Sequence, residues 1–282
     1  MKRFAMLTYG VICYAVFFAT FLYAIGFIGN LIVPKSIDSV PTTSLGTALF
    51  VNTLLLVVFA VQHSVMARPW FKRAWTRIVP VAAERSTYVL FSSLALILLF
   101  ALWQPMGGIV WAVQNEAARI ALYAAYAFGW ALVLASTFAI DHFDLFGLRQ
   151  TWRYARGVAY EPPVFKQPIL YRIVRHPLYV GWLFVMWATP TMTIAHLFFA
   201  VVTSRYILVA IQFEENDLKK AHPEYESYKK RVPMLIPAPL RNPHKLLANL
   251  SRKLTNFDAR CIGASRKPRD SCVSSSGPIP AS

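Results

Sequence analysis

Apolar residues run along this chain in long blocks separated by short polar stretches. Met6 to Val33, Gly46 to Met66, Thr87 to Trp103 and Ile120 to Ile140 each approach or exceed the ~20 residues a helix needs to cross a bilayer. A fifth block, Leu178 to Phe213, holds 36 residues. At ~1.5 Å per residue it is too long for one span and slightly short for two. Pro190 falls inside it between Thr189 and Thr191, so the block predicts a tight helical hairpin turning near Pro190 to Thr193. The pattern as a whole predicts an all-α integral membrane protein. It has about six membrane segments, the last two short or tilted.

Beyond Phe213 the pattern turns polar. Glu214 to Ala221 continue the last span as helix. Pro223 suits the first turn of a further helix running to Arg231, which Pro233, Pro237 and Pro239 end. These are expected to be cytoplasmic helices. The reading divides the chain into a membrane domain, 1–240, and a tail, 241–282. The tail has eight Lys or Arg against two Asp and is rich in Ser, Pro and Gly. It is expected to lack a core and to lie along the membrane surface.

Charge fixes the expected orientation. Residues 67–86 hold Arg68, Lys72, Arg73, Arg77 and Arg85, and residues 141–177 hold Arg149, Arg153, Arg156, Lys166, Arg172 and Arg175. Against these eleven, the alternate loops 34–45 and 107–118 hold only Lys35. The positive-inside rule places both termini in the cytoplasm, in a multi-pass protein of the cell inner membrane. The run from Ala5 to Val33 is too long for a signal-peptide core and is expected to be a retained first span.

The net charge of +16 therefore reads as attraction to anionic lipid headgroups, not as nucleic-acid binding. Hydrophobic residues make up 56% of the chain and mean hydropathy is +0.45, which places it in the membrane class. The cysteines, Cys13, Cys261 and Cys272, show no paired spacing. Neither a metal site nor a disulfide framework is expected.

Candidate chemistry collects near the C-terminal third. In Arg175-His176-Pro177-Leu178-Tyr179-Val180-Gly181, Pro177 sits where a loop becomes a helix. Arg175 and His176 then flank the positive end of the helix dipole, a place suited to a carboxylate or phosphate. Gly181, one turn on, permits close approach of a ligand or of another helix. Glu214 and Glu215 stand at the end of the last span with Asp217 after them. Neighbours on a helix point about 100° apart, so one of the pair faces any given pocket. That carboxylate either pairs with Arg172, Arg175 or Lys219, or holds an amine or hydroxyl. Tyr225 and Tyr228 share a helix face and either cover an aromatic ring or anchor the helix at the interface. Polar residues inside spans are costly, which marks His63 in Gln62-His63-Ser64, His142 in Asp141-His142-Phe143-Asp144, His196, and Arg205. Arg205 is expected to face a protein interior or a wet cavity.

The Arg175 to Gly181 segment, followed by Glu214-Glu215 and then by Tyr225, Tyr228, Arg231, Val232 and Pro233, resembles the isoprenylcysteine carboxyl methyltransferase and phospholipid methyltransferase superfamily of membrane enzymes. The likeness of Gln62 to Arg68 and of Asp141 to Gln150 is narrower. It is to the NnrU-like branch and its bacterial methanethiol S-methyltransferases, and it covers nearly all of residues 1–240. The resemblance implies an S-adenosylmethionine-dependent methyltransferase that takes a small apolar thiol to dimethyl sulfide. It implies cofactor contacts from Arg175, His176, Tyr179, Gly181, Glu214, Glu215, Tyr228 and Arg231 within a cofactor-binding part of about 141–240. The resemblance leaves open which of His63, His142 and His176 accepts the thiol proton. It also leaves room for a lipid amine or prenylcysteine carboxylate as acceptor, and for a non-enzymatic transport or assembly factor.

Overall fold

A computed structural model describes residues 1–161 and 166–237. The tail read as basic and coreless, 241–282, lies outside these described residues. Within the compact unit Met1–Pro237, thirteen described elements follow one another. They are α1 (Lys2–Gly29), α2 (Leu45–Ala67), α3 (Pro69–Trp75), α4 (Val81–Leu102), β1 (Ile109–Ala112), α5 (Glu116–Ile140), α6 (His142–Leu145), α7 (Leu148–Arg156), α8 (Ile169–Ile173), α9 (Pro177–Trp187), β2 (Thr191–Thr193), α10 (Ile194–Ala221) and α11 (Tyr225–Arg231).

Five of the helices (α1, α2, α4, α5 and α10) are long and apolar enough to cross a membrane. The hairpin lies where the sequence puts it, but its legs are unequal. α9 has 11 residues, about 16 Å at the helical rise, whereas α10 has 28 and is a full span. The chain is a multi-pass membrane protein. Side-chain caps start three of the spans: Ser44 accepts from Thr47 N, Asn115 from Ala118 N, and Thr193 from His196 N. Each satisfies one of the backbone donors that a helix start leaves open.

The two ends of the bundle differ in construction. At one end, loop 30–44 and the antiparallel pair β1–β2 cover the hairpin turn, with Val113 N donating to Pro190 O at 2.9 Å. Trp103 Nε1 donates to Ile37 O at 3.1 Å, and Asn52 exchanges hydrogen bonds with the backbone of Gln104 in both directions. The sequence pattern did not signal these short strands. The opposite end, called the basic end below, carries the charged loops, α3, α6 to α8, α11 and the C-terminus of α10.

Between the ends runs a core that includes Phe27, Leu99, Phe100, Trp103, Met186, Phe199 and Ile211. The tightest helix crossing is α5 on α9. A Cβ on Gly129 would stand 2.9 Å from Gly181 O, and one on Gly181 would stand 2.8 Å from Gly129 O. The two backbones therefore touch as only a glycine pair allows. The crossing also sets register, because Gly181 lies against Val133. In the antiparallel pair, the start of α9 is then level with the end of α5.

Arg205 is a correction to the sequence reading. It is exposed, not turned inward. The buried stripe of α10 passes through Ala200, Ile207, Ile211 and Glu215, and Arg205 falls on the far side of the helix from it.

Candidate active site

The RHP segment and the acidic pair meet at the basic end. Glu215, 2% exposed, is the hub of a buried charge cluster. Its Oε1 accepts from Arg175 Nε at 2.8 Å and lies 3.1 Å from His176 Nε2, and its Oε2 accepts from Lys229 Nζ at 2.6 Å. This arrangement engages two of the three nitrogens of the Arg175 guanidinium. Besides Glu215, its guanidinium donates to Lys229 O and Val232 O. The backbone adds two rungs, Arg175 N to Pro233 O at 2.8 Å and His176 N to Met234 O at 3.2 Å. Arg175 thus ties the segment after α11 to the start of α9, and of the two uses open to Glu215 it is the ion pair that forms.

Glu214, about 100° round the helix, is the carboxylate that looks outward. Its side chain is 44% exposed, and its Oε2 accepts from the Tyr179 hydroxyl at 3.0 Å. Its Oε1 has no protein partner among the described residues. Tyr179 lies within electrostatic reach of Tyr206 and Tyr88. Tyr88 leads to His63: its hydroxyl is 3.1 Å from either ring nitrogen, and Ser92 Oγ stands 3.2 Å from Nδ1. Phe59 stacks on the imidazole with ring centres 5.3 Å apart. Tyr206 reaches Ser64 Oγ at 3.0 Å, and Arg68 pairs with Asp217 at 2.8 Å. His63, Arg85, Tyr88, Tyr179, Tyr206 and Glu214 are all half-buried and are linked one to the next by contact or electrostatic reach, a polar region between α2, α4, α9 and α10 called the recess below.

His142 lies apart from that recess. Its Nδ1 is 2.9 Å from Thr137 Oγ1, its Nε2 is 2.8 Å from Tyr14 OH, and its ring stacks on Phe138 at 4.2 Å. Burial pushes this imidazole below its ordinary value, with Asp141 partly opposing. Close by, Tyr160 donates to Asp144 Oδ2 at 3.1 Å. Burial first, and Asp144 second, push that phenol up to about 12.

The remaining expected site residues are placed as follows. Gly181 is occupied by the crossing with α5, the second of the two uses its size permits. Tyr228 is 3% exposed and donates to Tyr171 O at 2.6 Å. Burial pushes its phenol up to about 12. With Tyr225, also buried, it seats α11 and presents no open ring face. Arg231 is exposed, its Nε 3.3 Å from Ser227 O.

Sequence reasoning gave Lys229 no role of its own and did not single out Tyr88, Ser92 or Tyr206. Lys229 sits in a basic run whose members look alike. Tyrosine and serine in an apolar span carry no local signal until a partner on another helix is known.

No family model and no solved structure matches the chain. Curated relatives do. The methanethiol S-methyltransferase of Crocosphaera subtropica is 56% identical over 238 residues, covering 84% of this chain and 93% of that protein. The enzyme of the same name from Mycobacterium tuberculosis is 51% identical over 243 residues, covering 86% of this chain and all of the relative. A nurim homolog of Drosophila pseudoobscura pseudoobscura is 30% identical over 71% of this chain. The chain belongs to the methanethiol S-methyltransferase family.

Proposed function

We propose that this protein transfers a methyl group from S-adenosylmethionine to methanethiol, releasing dimethyl sulfide. The observation that carries the proposal is identity above 50% to enzymes of that name over more than four-fifths of the chain. The site is proposed to face the cytoplasm from the inner membrane, with both termini inside, on the strength of the basic loops. The tail is proposed to rest on anionic lipid. A reporter fused at residue 160 is expected to read as internal.

The residues of the recess fit such a donor. Glu214 offers a half-exposed carboxylate oxygen with no protein partner, suited to an amine or a hydroxyl. Tyr179 offers an aromatic face to a sulfonium. Bound there, the donor supplies an electrophilic methyl group attached to positively charged sulfur. The chain then has three tasks. It aligns the acceptor sulfur in line with the methyl group, and orientation of this kind is worth several kcal/mol. It keeps bulk water from the recess, which the large side chains of α9 favour. It also takes the thiol proton, since the thiolate is the nucleophile.

His63 is proposed for that last task. His142 lies apart from the recess, and His176 Nε2 is engaged by the carboxylate of Glu215. His63 lines the recess, and its ring nitrogens meet only the hydroxyls of Tyr88 and Ser92, which can relay a proton, with Phe59 stacked on the ring. The acceptor and its product are small and apolar, so both can pass through the bilayer.

Purified protein given S-adenosylmethionine and methanethiol is expected to form dimethyl sulfide, and to leave prenylcysteine and phosphatidylethanolamine largely unmethylated. Labelled methyl groups appearing in lipid would refute the acceptor. The absence of any methylated thiol while the donor binds would refute it equally.

A further inference from the structure

The recess contains cations that make no close ion pair among the described residues. Arg85, on α4, is half-buried and lies over the Tyr88 ring, its Cζ 5.8 Å from the centroid. Lys72, on α3, is half-buried beside it. Neither makes an ion pair within 4.0 Å or a side-chain hydrogen bond among the described residues. The acids within reach do not fill the gap. Asp217 pairs closely with Arg68 at 2.8 Å and, like Glu84, acts on Lys72 only at longer range. Arg85 also acts on His63. The ammonium of Lys72 is pushed below its ordinary value, first by burial and then by Arg85.

Two like charges held together half out of water are costly unless an anion joins them. The contrast with Arg175 sharpens the point. Its position at the start of α9 makes it the expected anion binder, yet Glu215 and two backbone carbonyls already engage its Nε and Nη1. The open oxyanion site at this end of the bundle therefore lies across the recess, on α3 and α4.

We propose that Lys72 and Arg85 form an oxyanion-binding site that takes the carboxylate of the methyl donor's amino-acid part. The proposal rests on the donor assigned above. The site's position fits that ligand, because Tyr88, under Arg85, lies within electrostatic reach of Tyr179, whose hydroxyl donates to Glu214, and these are the groups suited to the sulfonium and the amine. A forked guanidinium and a neighbouring ammonium match a carboxylate. A lipid phosphate at the membrane boundary offers the same chemistry, so the test must separate the two sources.

Affinity is measured for S-adenosylmethionine and for its decarboxylated analogue, which keeps the amine and lacks the carboxylate. Wild-type protein is expected to prefer the parent by about ten- to a hundredfold, the range of a charged hydrogen bond. In Arg85→Gln and in Lys72→Gln that preference should shrink severalfold, with affinity for the analogue held or raised. Arg85→Lys should restore part of it. Equal loss for both ligands would mean that the residues only support the fold, and an unchanged preference would place the carboxylate elsewhere; either overturns the proposal. If wild-type protein binds neither ligand, the donor assignment itself has failed and the proposal falls with it. In a second arm, thermal stability is compared in phosphatidylglycerol and phosphatidylcholine nanodiscs. A stabilisation by phosphatidylglycerol that both Gln variants abolish, with ligand preference intact, assigns the site to lipid and overturns the proposal.

Discussion

The two ends of the bundle hold similar polar side chains and use them differently. At the end covered by β1 and β2, Asp38 accepts from Asn30 Nδ2 at 2.7 Å and from Thr193, and its Oδ2 is 3.5 Å from His196 Nδ1. His196 Nε2 is in turn 2.9 Å from Met186 O. Each of these groups is closed by another part of the chain. At the basic end the Glu215 cluster is closed in the same way, but the recess beside it is not. Glu214 Oε1, Arg85 and Lys72 make no side-chain hydrogen bond and no ion pair within 4.0 Å among the described residues. A buried polar network that satisfies itself specifies a fold. Polar groups kept half-buried and open at a membrane boundary cost free energy with no structural return, and that is the mark of a site.

The sharpest way to break this contrast is at His63. His63→Ala is expected to lower turnover about 10²- to 10⁴-fold, the usual contribution of a positioned proton acceptor, with donor affinity little changed. Single-turnover kinetics beside calorimetry would show it. Next in size, Glu215→Ala should leave Arg175 as an unpaired buried charge and cost about 3–5 kcal/mol of stability, read as a lowered unfolding midpoint in detergent. Glu214→Gln should spare the fold and weaken donor binding by about 1.5–3 kcal/mol; an unchanged dissociation constant would remove Glu214 from the site.

The smallest effect is expected at His142. Its folded pKa is depressed, so the unfolded chain binds the extra proton more readily. Stability is then full above the unfolded value of about 6.5 and declines as pH falls below it. His142→Gln should flatten the loss of thermal stability between pH 7 and pH 5 while leaving turnover near wild type.

Much of this molecule is legible in its sequence, for identifiable reasons. Hydropathy locates the spans because a bilayer demands long apolar runs. Pro190 between two threonines marks the hairpin turn because proline ends a helix. The RHP segment and the acidic pair stand out because charge is scarce in this chain. What stays hidden depends on partners distant in sequence. Gly181 reads equally as a ligand contact or a helix contact until Gly129, on another span, is seen against it. Arg175 reads as an anion site until the carbonyls of Lys229 and Val232 are found on its guanidinium. Arg205 illustrates the opposite error. The cost of a charge in a span suggested an inward face, but helical phase places it outward.

The central claim is that the donor binds at the open groups of the basic end and not among the closed network opposite. Photolabelling of the purified protein with methyl-labelled S-adenosylmethionine, followed by peptide mapping, tests it most directly. Label is expected in peptides carrying Tyr179 and Glu214, and an excess of unlabelled donor should suppress it. Label confined to peptides carrying Asp38 or His196, or label that unlabelled donor fails to displace, would contradict the account.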